Sequence, residues 1–357
     1  GRRKWISCAA FRPGTRGARL TAILAANWPG MHMRVLVIRG GALGDFLVTL
    51  PTLRLLREHW PDAHIELLGQ PALAEPVTGP GRFYLDAVRS VDRGPLSTFF
   101  MPRAVLDPAW MDYFESFDLV LSYFYDPDQL FETNLHRCRP GELLTHSPRV
   151  PEHFSAPAAR HFAEILRPLG LEPGAEITGH LVPSPADLEG ARAFLSGLES
   201  GTRLVAIHPG SGSESKTWPA ENWAELGRRL AARFPDLTLL LVEGEADAAA
   251  AKIVVEAWRE LRLVRARLLP LSILGAVLRR ASLFLGHDSG ITHLAAAARA
   301  DLPIVALFGP TDPAIWAPPR VGVHVLRGAQ GRMDHAVNEV ETAAIGLLQK
   351  EDARHDP

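Results

Sequence analysis

Short, almost unbroken aliphatic runs recur along the chain, each followed by a turn rich in small residues or proline and then by an apolar pattern of helical period. Arg34-Val35-Leu36-Val37-Ile38-Arg39 is the first, and Leu204-Val205-Ala206-Ile207-His208 repeats it in the second half, followed by residues 237–242, 283–285 and 304–308. A run of this kind reads as a parallel strand buried on both faces. Shorter runs at 64–68 and 117–124 read the same way, and helical spacing fills 46–60, 184–198, 222–234, 246–261, 271–281 and 291–299. Pro51 should kink or delay the first of these helices. Strand and helix alternating at this pitch predict an α/β fold of doubly wound parallel sheets. With 357 residues, 47% of them hydrophobic, the chain is long enough for two such domains. Residues 95–150, rich in proline and aromatics, are expected to form irregular loops over a cleft.

The first 32 residues carry Arg2, Arg3, Lys4, Arg12, Arg16 and Arg19 with no acidic counterweight, and their apolar stretch is short. They are expected to be a disordered leader or start extension rather than a signal peptide. The domain expectation is therefore 33–180 and 181–350, with a tail at 351–357.

The formal net charge of −2 provides no global basic field that would draw the chain to nucleic acid or anionic lipid. Only two cysteines are present, Cys8 and Cys138, without metal-ligand spacing, which fits a reducing cytosol. No apolar run approaches the roughly 18–20 residues a membrane helix needs, so work at a membrane would be peripheral.

In open parallel sheets ligands bind beyond the carboxyl ends of the strands, and three turns at such ends stand out. The first is Gly40-Gly41-Ala42-Leu43-Gly44-Asp45. Asp45 is either a helix N-cap or a cleft-facing general base, and Gly44 lets backbone approach a ligand. The dinucleotide fingerprint is broken at Gly40-x-Ala42, and no acid follows the next strand, so NAD is not expected. The second turn, Gly210-Ser211-Gly212-Ser213-Glu214-Ser215-Lys216-Thr217, resembles a P-loop but has Ser215 in place of the second glycine, with Trp218-Pro219 following at once. Lys216 is either a solvated loop lysine or a phosphate contact. The third, Gly286-His287-Asp288-Ser289-Gly290-Ile291-Thr292-His293, joins a strand to an apolar helix. Its free N–H groups and positive dipole end make an anion site, unless Asp288 or Ser289 caps them. A bound phosphate would leave Asp288 for a sugar hydroxyl, and His293 is either a packed histidine or a phosphate donor. No His-x-x-x-His helix is present, so no metal is expected, and lysine and helix dipole would neutralise a diphosphate.

As a set, these motifs resemble the lipopolysaccharide heptosyltransferases, glycosyltransferase family 9, whose two-domain fold is called GT-B. The resemblance runs from Met33 to about Lys350. It rests on Val35-Leu36-Val37-Ile38-Arg39 leading to Leu43-Gly44-Asp45, and on His208-Pro209-Gly210-Ser211 with Lys216-x-Trp218-Pro219. Asp288-Ser289-Gly290-x-x-His293-Leu294 and Phe308-Gly309-Pro310-Thr311 complete it. It implies two Rossmann-like domains, the first for the acceptor and the second for the donor. It also implies inverting, metal-independent transfer without cofactor from a nucleotide sugar, typically ADP-heptose, to a hydroxyl of the lipopolysaccharide inner core. The enzyme would then be a cytoplasmic bacterial protein at the inner face of the inner membrane.

Carried over, Asp45 would be the base and Lys216 would stabilise the departing diphosphate. Asp288 would contact the donor sugar, the Gly290 amide and His293 would hold phosphate, and Ser289 counts among the donor-binding residues. Ser211-Gly212 stand where the family often carries paired threonines. Glu243, Glu245 and Asp247 compete for the ribose. Arg103, His136, Arg137 and Arg139 are candidates for an acidic glycolipid acceptor. Two alternatives remain: a family member using another nucleotide sugar and a non-lipopolysaccharide acceptor, and a nucleotide-sugar binding protein without turnover.

Overall fold

The computed structural model describes residues 33–91, 95–174, 177–199, 201–244 and 247–355. The leader at 1–32 and Glu245 lie outside them. The first half carries strands β1 (Arg34–Ile38), β2 (His64–Gly69), β3 (Ala87–Ser90), β4 (Leu119–Ser122) and β5 (Glu142–Thr145). Its helices are α1 (Leu43–Leu47), α2 (Leu50–His59), α3 (Pro71–Ala74), α4 (Pro108–Glu115), α5 (Leu130–Arg137) and α6 (Ala158–Ala163). In the second half, helix α7 (Pro185–Phe194) precedes β6 (Arg203–Ile207), α8 (Ala220–Arg233), β7 (Leu237–Glu243), α9 (Ala248–Ala257) and β8 (Leu263–Arg267). Then come α10 (Leu271–Leu278), β9 (Leu283–His287), α11 (Gly290–Ala298), β10 (Ile304–Phe308), α12 (Pro313–Trp316), β11 (Val323–Arg327) and α13 (Val337–His355). The last helix thus runs through the start of the expected tail.

Both sheets are parallel, ordered β3-β2-β1-β4-β5 and β11-β10-β9-β6-β7-β8. This is the α/β, doubly wound architecture expected. Each sheet has one place where the chain order reverses, between β1 and β4 and between β6 and β9. Such a switch point splays the loops on either side and opens a crevice.

Alternation along the strands divides the core. Val35 and Val37 face a hydrophobic cluster that continues through Leu204, Ala206 and Phe284 into the second half, whereas Leu36 and Ile38 face Phe99, Phe114 and Phe131. Val205 and Ile207 face a third cluster around Trp218, Trp223 and Trp258. On α2, Leu50, Leu53 and Leu56 are fully buried, each worth about 1.5–3 kcal/mol relative to exposure. Pro51 stands in the first turn of α2, where its missing N–H costs nothing, and the expected 46–60 helix divides there into α1 and α2.

The 95–150 region departs from expectation. It contains α4, β4, α5 and β5, and Asp107 caps α4 through the amides of Ala109 and Trp110. Aromatic density here marks a core packed against one sheet face, not loops over a cleft. Side-chain bonds also cross between the halves: Arg82 pairs with Asp187 at 2.8 Å, and Glu75 accepts the Ser272 amide at 2.8 Å.

Candidate active site

The first switch-point loop leaves β1 through Arg39 and Gly40. Gly41 has a φ of +104°, and a Cβ on it would stand 2.6 Å from Asp45 Oδ2, so glycine is required there on two counts. Ala42, not Asp45, is the N-cap of α1. Asp45 sits one turn in and reaches back, its Oδ2 accepting the Ala42 amide at 2.9 Å. Its side chain keeps 38% exposure.

Behind it lies Arg39, 4% exposed. The Arg39 guanidinium carbon is 4.3 Å from the Phe162 ring centroid and 5.5 Å from that of Tyr123. Its Nη2 donates to the Asp45 carbonyl at 3.2 Å and stands 3.7 Å from Oδ1. Burial draws the guanidinium below its ordinary range, while the Asp45 charge pulls it back. Arg39 thus fixes the loop that aims Asp45.

The second loop follows β6. Gly210 is obligatory because a Cβ there would overlap the Asp247 carboxylate. Residues Glu214–Lys216 form one 3₁₀ turn, and the following helix starts only at Ala220, so the loop is not a P-loop. Trp218 anchors it: fully buried, it donates its amide to His287 Nε2 at 2.9 Å and its indole N–H to the His335 carbonyl at 3.0 Å.

The third loop follows β9. His287 is completely buried and ties the second loop and α8 to the end of β9. Its Nδ1–H donates to the Gly210 carbonyl at 3.0 Å, and Nε2 accepts from Trp218 and from Trp223 Nε1 at 3.3 Å. Burial pushes its pKa down to about 3, so it is a fixed neutral ring. Ser289, not Asp288, caps α11, its Oγ accepting the Thr292 amide. Asp288 Oδ2 instead accepts Lys216 Nζ at 2.8 Å and Thr311 Oγ1 at 2.7 Å, and Ser211 Oγ donates to the Asp288 carbonyl at 3.3 Å.

The two halves meet here. The Gly290 backbone abuts that of Gly44, with room for no side chain at Gly290. His293, one turn further along α11, feels the charges of Asp288, Asp45 and Lys216 together, and burial holds its pKa below the ordinary value. Gly44, Asp45, Ser211, Lys216, Asp288, Ser289, Gly290 and His293 therefore form one constellation, while Gly212 has open space where a Cβ would stand.

Other candidates lie apart or are engaged elsewhere. Glu243, 6% exposed, is held in a fork by Arg265 at 2.7 and 2.8 Å. Asp247 accepts the Gly244 amide at 2.7 Å and faces His208. Arg137 donates to the Ala104 carbonyl and to Asn134, both at 2.8 Å, and Arg103 and Arg139 occupy left-handed turn positions. The metal-free expectation passed over the chain's Asp-x-Asp sequence, Asp126-Pro127-Asp128. Asp126 accepts the Phe131 and Glu132 amides at 3.1 and 2.9 Å, which is a helix-start role.

Sequence reading gave Arg39 and Thr311 no role in the site, and it placed His287 in the third turn without a role for its ring. Thr311 falls in the quoted Phe308-Gly309-Pro310-Thr311 motif, and Arg39 is a charged residue ending an aliphatic strand. Nothing in local sequence distinguishes His287 from a packed histidine.

Two facing parallel sheets with their switch points turned to a common site define a GT-B protein. The description of glycosyltransferase family 9 (heptosyltransferase) matches residues 139–342, more than half of the chain. The chain belongs to that family, and it is a glycosyltransferase. Lipopolysaccharide heptosyltransferase 3 of Escherichia coli K12 is 25% identical over 299 residues, covering 77% of this chain and 82% of that protein. A family 9 glycosyl transferase from Veillonella parvula superposes with a TM-score of 0.72 at 21% identity, covering 89% of this chain and 97% of its own. Escherichia coli ADP-heptose LPS heptosyltransferase II gives 0.70 at 18% identity, over 90% and 100%.

Proposed function

We propose that the chain transfers a sugar with inversion, heptose from ADP-heptose, to a hydroxyl of the lipopolysaccharide inner core or a related glycan. One observation carries this reading: Asp45, next to the Gly44–Gly290 contact between the two halves, and the Lys216–Asp288 pair act together on His293 in the first turn of α11. The donor and acceptor identities rest on the relatives, which are named for lipopolysaccharide heptosyl transfer and ADP-heptose.

In the proposed reaction, the 33–180 domain holds the acceptor and the 181–350 domain the donor. Asp45 takes the proton of the acceptor hydroxyl as its oxygen attacks the anomeric carbon from the face opposite the leaving diphosphate. The α11 N-terminus, through the Gly290 amide and with His293, receives phosphate oxygens. Lys216 offsets the charge that grows on the diphosphate as the glycosidic bond breaks. In forming that contact, Lys216 exchanges its Asp288 partner for phosphate, and Asp288 becomes available to a sugar hydroxyl. A single carboxylate suffices for inversion because the nucleotide diphosphate needs only charge stabilisation to leave. On this reading no divalent ion assists the diphosphate.

Among the described residues no helix is long and apolar enough to cross a membrane. Contact with a glycolipid at the inner face of the inner membrane would therefore be peripheral. A calorimetric panel of ADP, UDP, GDP and their sugars against wild type and Lys216→Ala tests the reading. ADP species should bind wild type without Mg2+, and Lys216→Ala should weaken them by about tenfold or more. No nucleotide binding, or binding that requires Mg2+, sinks it.

A further inference from the structure

On the acceptor half, at the carboxyl ends of β4 and β5, a cavity of about 700 Å³ is lined by His146, His161 and Glu164 among others. None of Lys216, Asp288, Gly290 or His293 lines it. His146 directly follows β5, and its amide continues the ladder onto the Ser122 carbonyl at 2.9 Å, which fixes where its side chain starts. His161 lies in α6 and is 3% exposed. Glu164 comes three residues later, on the same helical side as His161.

The two rings are set nitrogen to nitrogen, His146 Nε2 lying 3.3 Å from His161 Nδ1. Two imidazole nitrogens on one tetrahedral zinc, each about 2.0–2.1 Å from the ion, stand about 3.3–3.4 Å apart. The protein thus holds this pair at ligand spacing. The other nitrogen of His161, Nε2, lies 3.1 Å from the Ser147 carbonyl. Donating there makes Nδ1 the lone-pair nitrogen and aims it at His146, the outer contact that orients metal-binding histidines. Phe154 packs edge-on against the His161 ring, and Tyr123 against His146, so neither imidazole is free to swing. Burial holds both rings below the ordinary histidine pKa, as a neutral ligand requires. The carboxylate of Glu164 completes a group whose ligand atoms all lie within 4.8 Å of one another. Glu164 is exposed at the rim of the pair.

We infer that His146, His161 and Glu164 bind one zinc-class divalent ion whose open position faces this cavity. Two imidazoles and one carboxylate favour zinc or another late first-row ion over Mg2+ or Ca2+, which prefer all-oxygen shells. Without the ion, His146 Nε2–H donates to His161 Nδ1. On binding, His146 shifts to its Nδ1–H tautomer, with no net change of protons, and the ion takes the place of the bridging hydrogen. Three protein ligands leave the fourth tetrahedral position to water or substrate oxygen.

The test uses the full, tag-free chain after chelator treatment, titrated calorimetrically with ZnCl2 and, separately, MgCl2. Wild type should take up one equivalent of zinc saturably, and Mg2+ should not compete. His146→Gln should abolish that uptake and Glu164→Gln should weaken it by about tenfold, and zinc should raise the thermal midpoint of wild type but not that of His146→Gln. If His146→Gln fails to fold by circular dichroism, the exposed Glu164→Gln still decides. The assignment is overturned if wild type takes up no zinc, or if uptake is unchanged in the folded variants. ADP affinity should be the same with and without chelator; dependence on zinc would move the ion to the donor phosphates and equally overturn it.

Discussion

A Cβ placed on Gly290 would stand 2.8 Å from the amide nitrogen of Gly44 and 2.8 Å from Leu43 Cβ, so α11 of one half and α1 of the other are in backbone contact. The base candidate lies one residue beyond Gly44, and the anion-binding helix begins at Gly290. One contact therefore sets the separation between the two sides of the reaction.

Gly290→Ala tests that contact. Gly290 is the first residue of α11 and has no left-handed φ, so the second half by itself accepts alanine there. The methyl meets the opposite half instead. We expect a thermal midpoint within a few degrees of wild type but a loss of transfer of about 10- to 100-fold, as small misplacements of reacting groups produce. Full activity in a kinetic assay would mean that the halves separate at this point during turnover.

Asp45→Asn retains shape and removes the carboxylate that would take the proton. Transfer should fall by roughly 10²- to 10⁴-fold, the usual contribution of general base catalysis, while ADP affinity by calorimetry stays within about twofold. Retained turnover would move the base to another residue.

Arg39→Lys separates positioning from charge. Lysine retains the cation but has no planar fork to lie over Phe162 and Tyr123 while bonding to the Asp45 carbonyl. The expected outcome is a fall in kcat of about tenfold or more with the donor KM little changed. A rise in KM alone would place Arg39 in donor binding instead.

His287 predicts a pH dependence of stability. Its folded pKa, pushed down to about 3, lies below the ordinary value of 6.5. Above pH 6.5 both folded and unfolded states hold the ring neutral, and it contributes no slope. As pH falls below 6.5 the unfolded chain takes up a proton that the folded chain refuses. Stability then drops by up to about 1.4 kcal/mol per pH unit until the folded ring protonates near pH 3. Other buried histidines, among them His208, His293 and His335, are lowered too. The test is therefore a difference: urea midpoints of wild type and His287→Gln between pH 7.5 and 4.5. Parallel slopes would show that His287 is not the neutral ring described.

The central strands were legible because they are buried on both faces and so carry nearly unbroken apolar runs, as β1, β4, β6, β7, β9 and β10 do. The edge strands were not. β3, β8 and β11 are half-exposed, with mixed side chains such as Ala87-Val88-Arg89-Ser90, and only pairing with a neighbour makes them strands. The same reasoning accounts for 95–150, where apolar residues cluster without a clean period because they fill one face of the first sheet.

The sequence by itself determined the two doubly wound halves, the three loops at strand ends and the residue types in them, because backbone periodicity and glycine requirements are local. Tertiary structure alone decided the state of each group. Asp288 could have capped its own helix, yet Lys216 and Thr311 claim its carboxylate. Asp45 could have been an N-cap, yet it answers Ala42 from within the helix, with Arg39 held behind it by Phe162 and Tyr123. These outcomes depend on partners brought together by packing, since hydrogen bonds and charges act over a few ångströms of space regardless of distance along the chain.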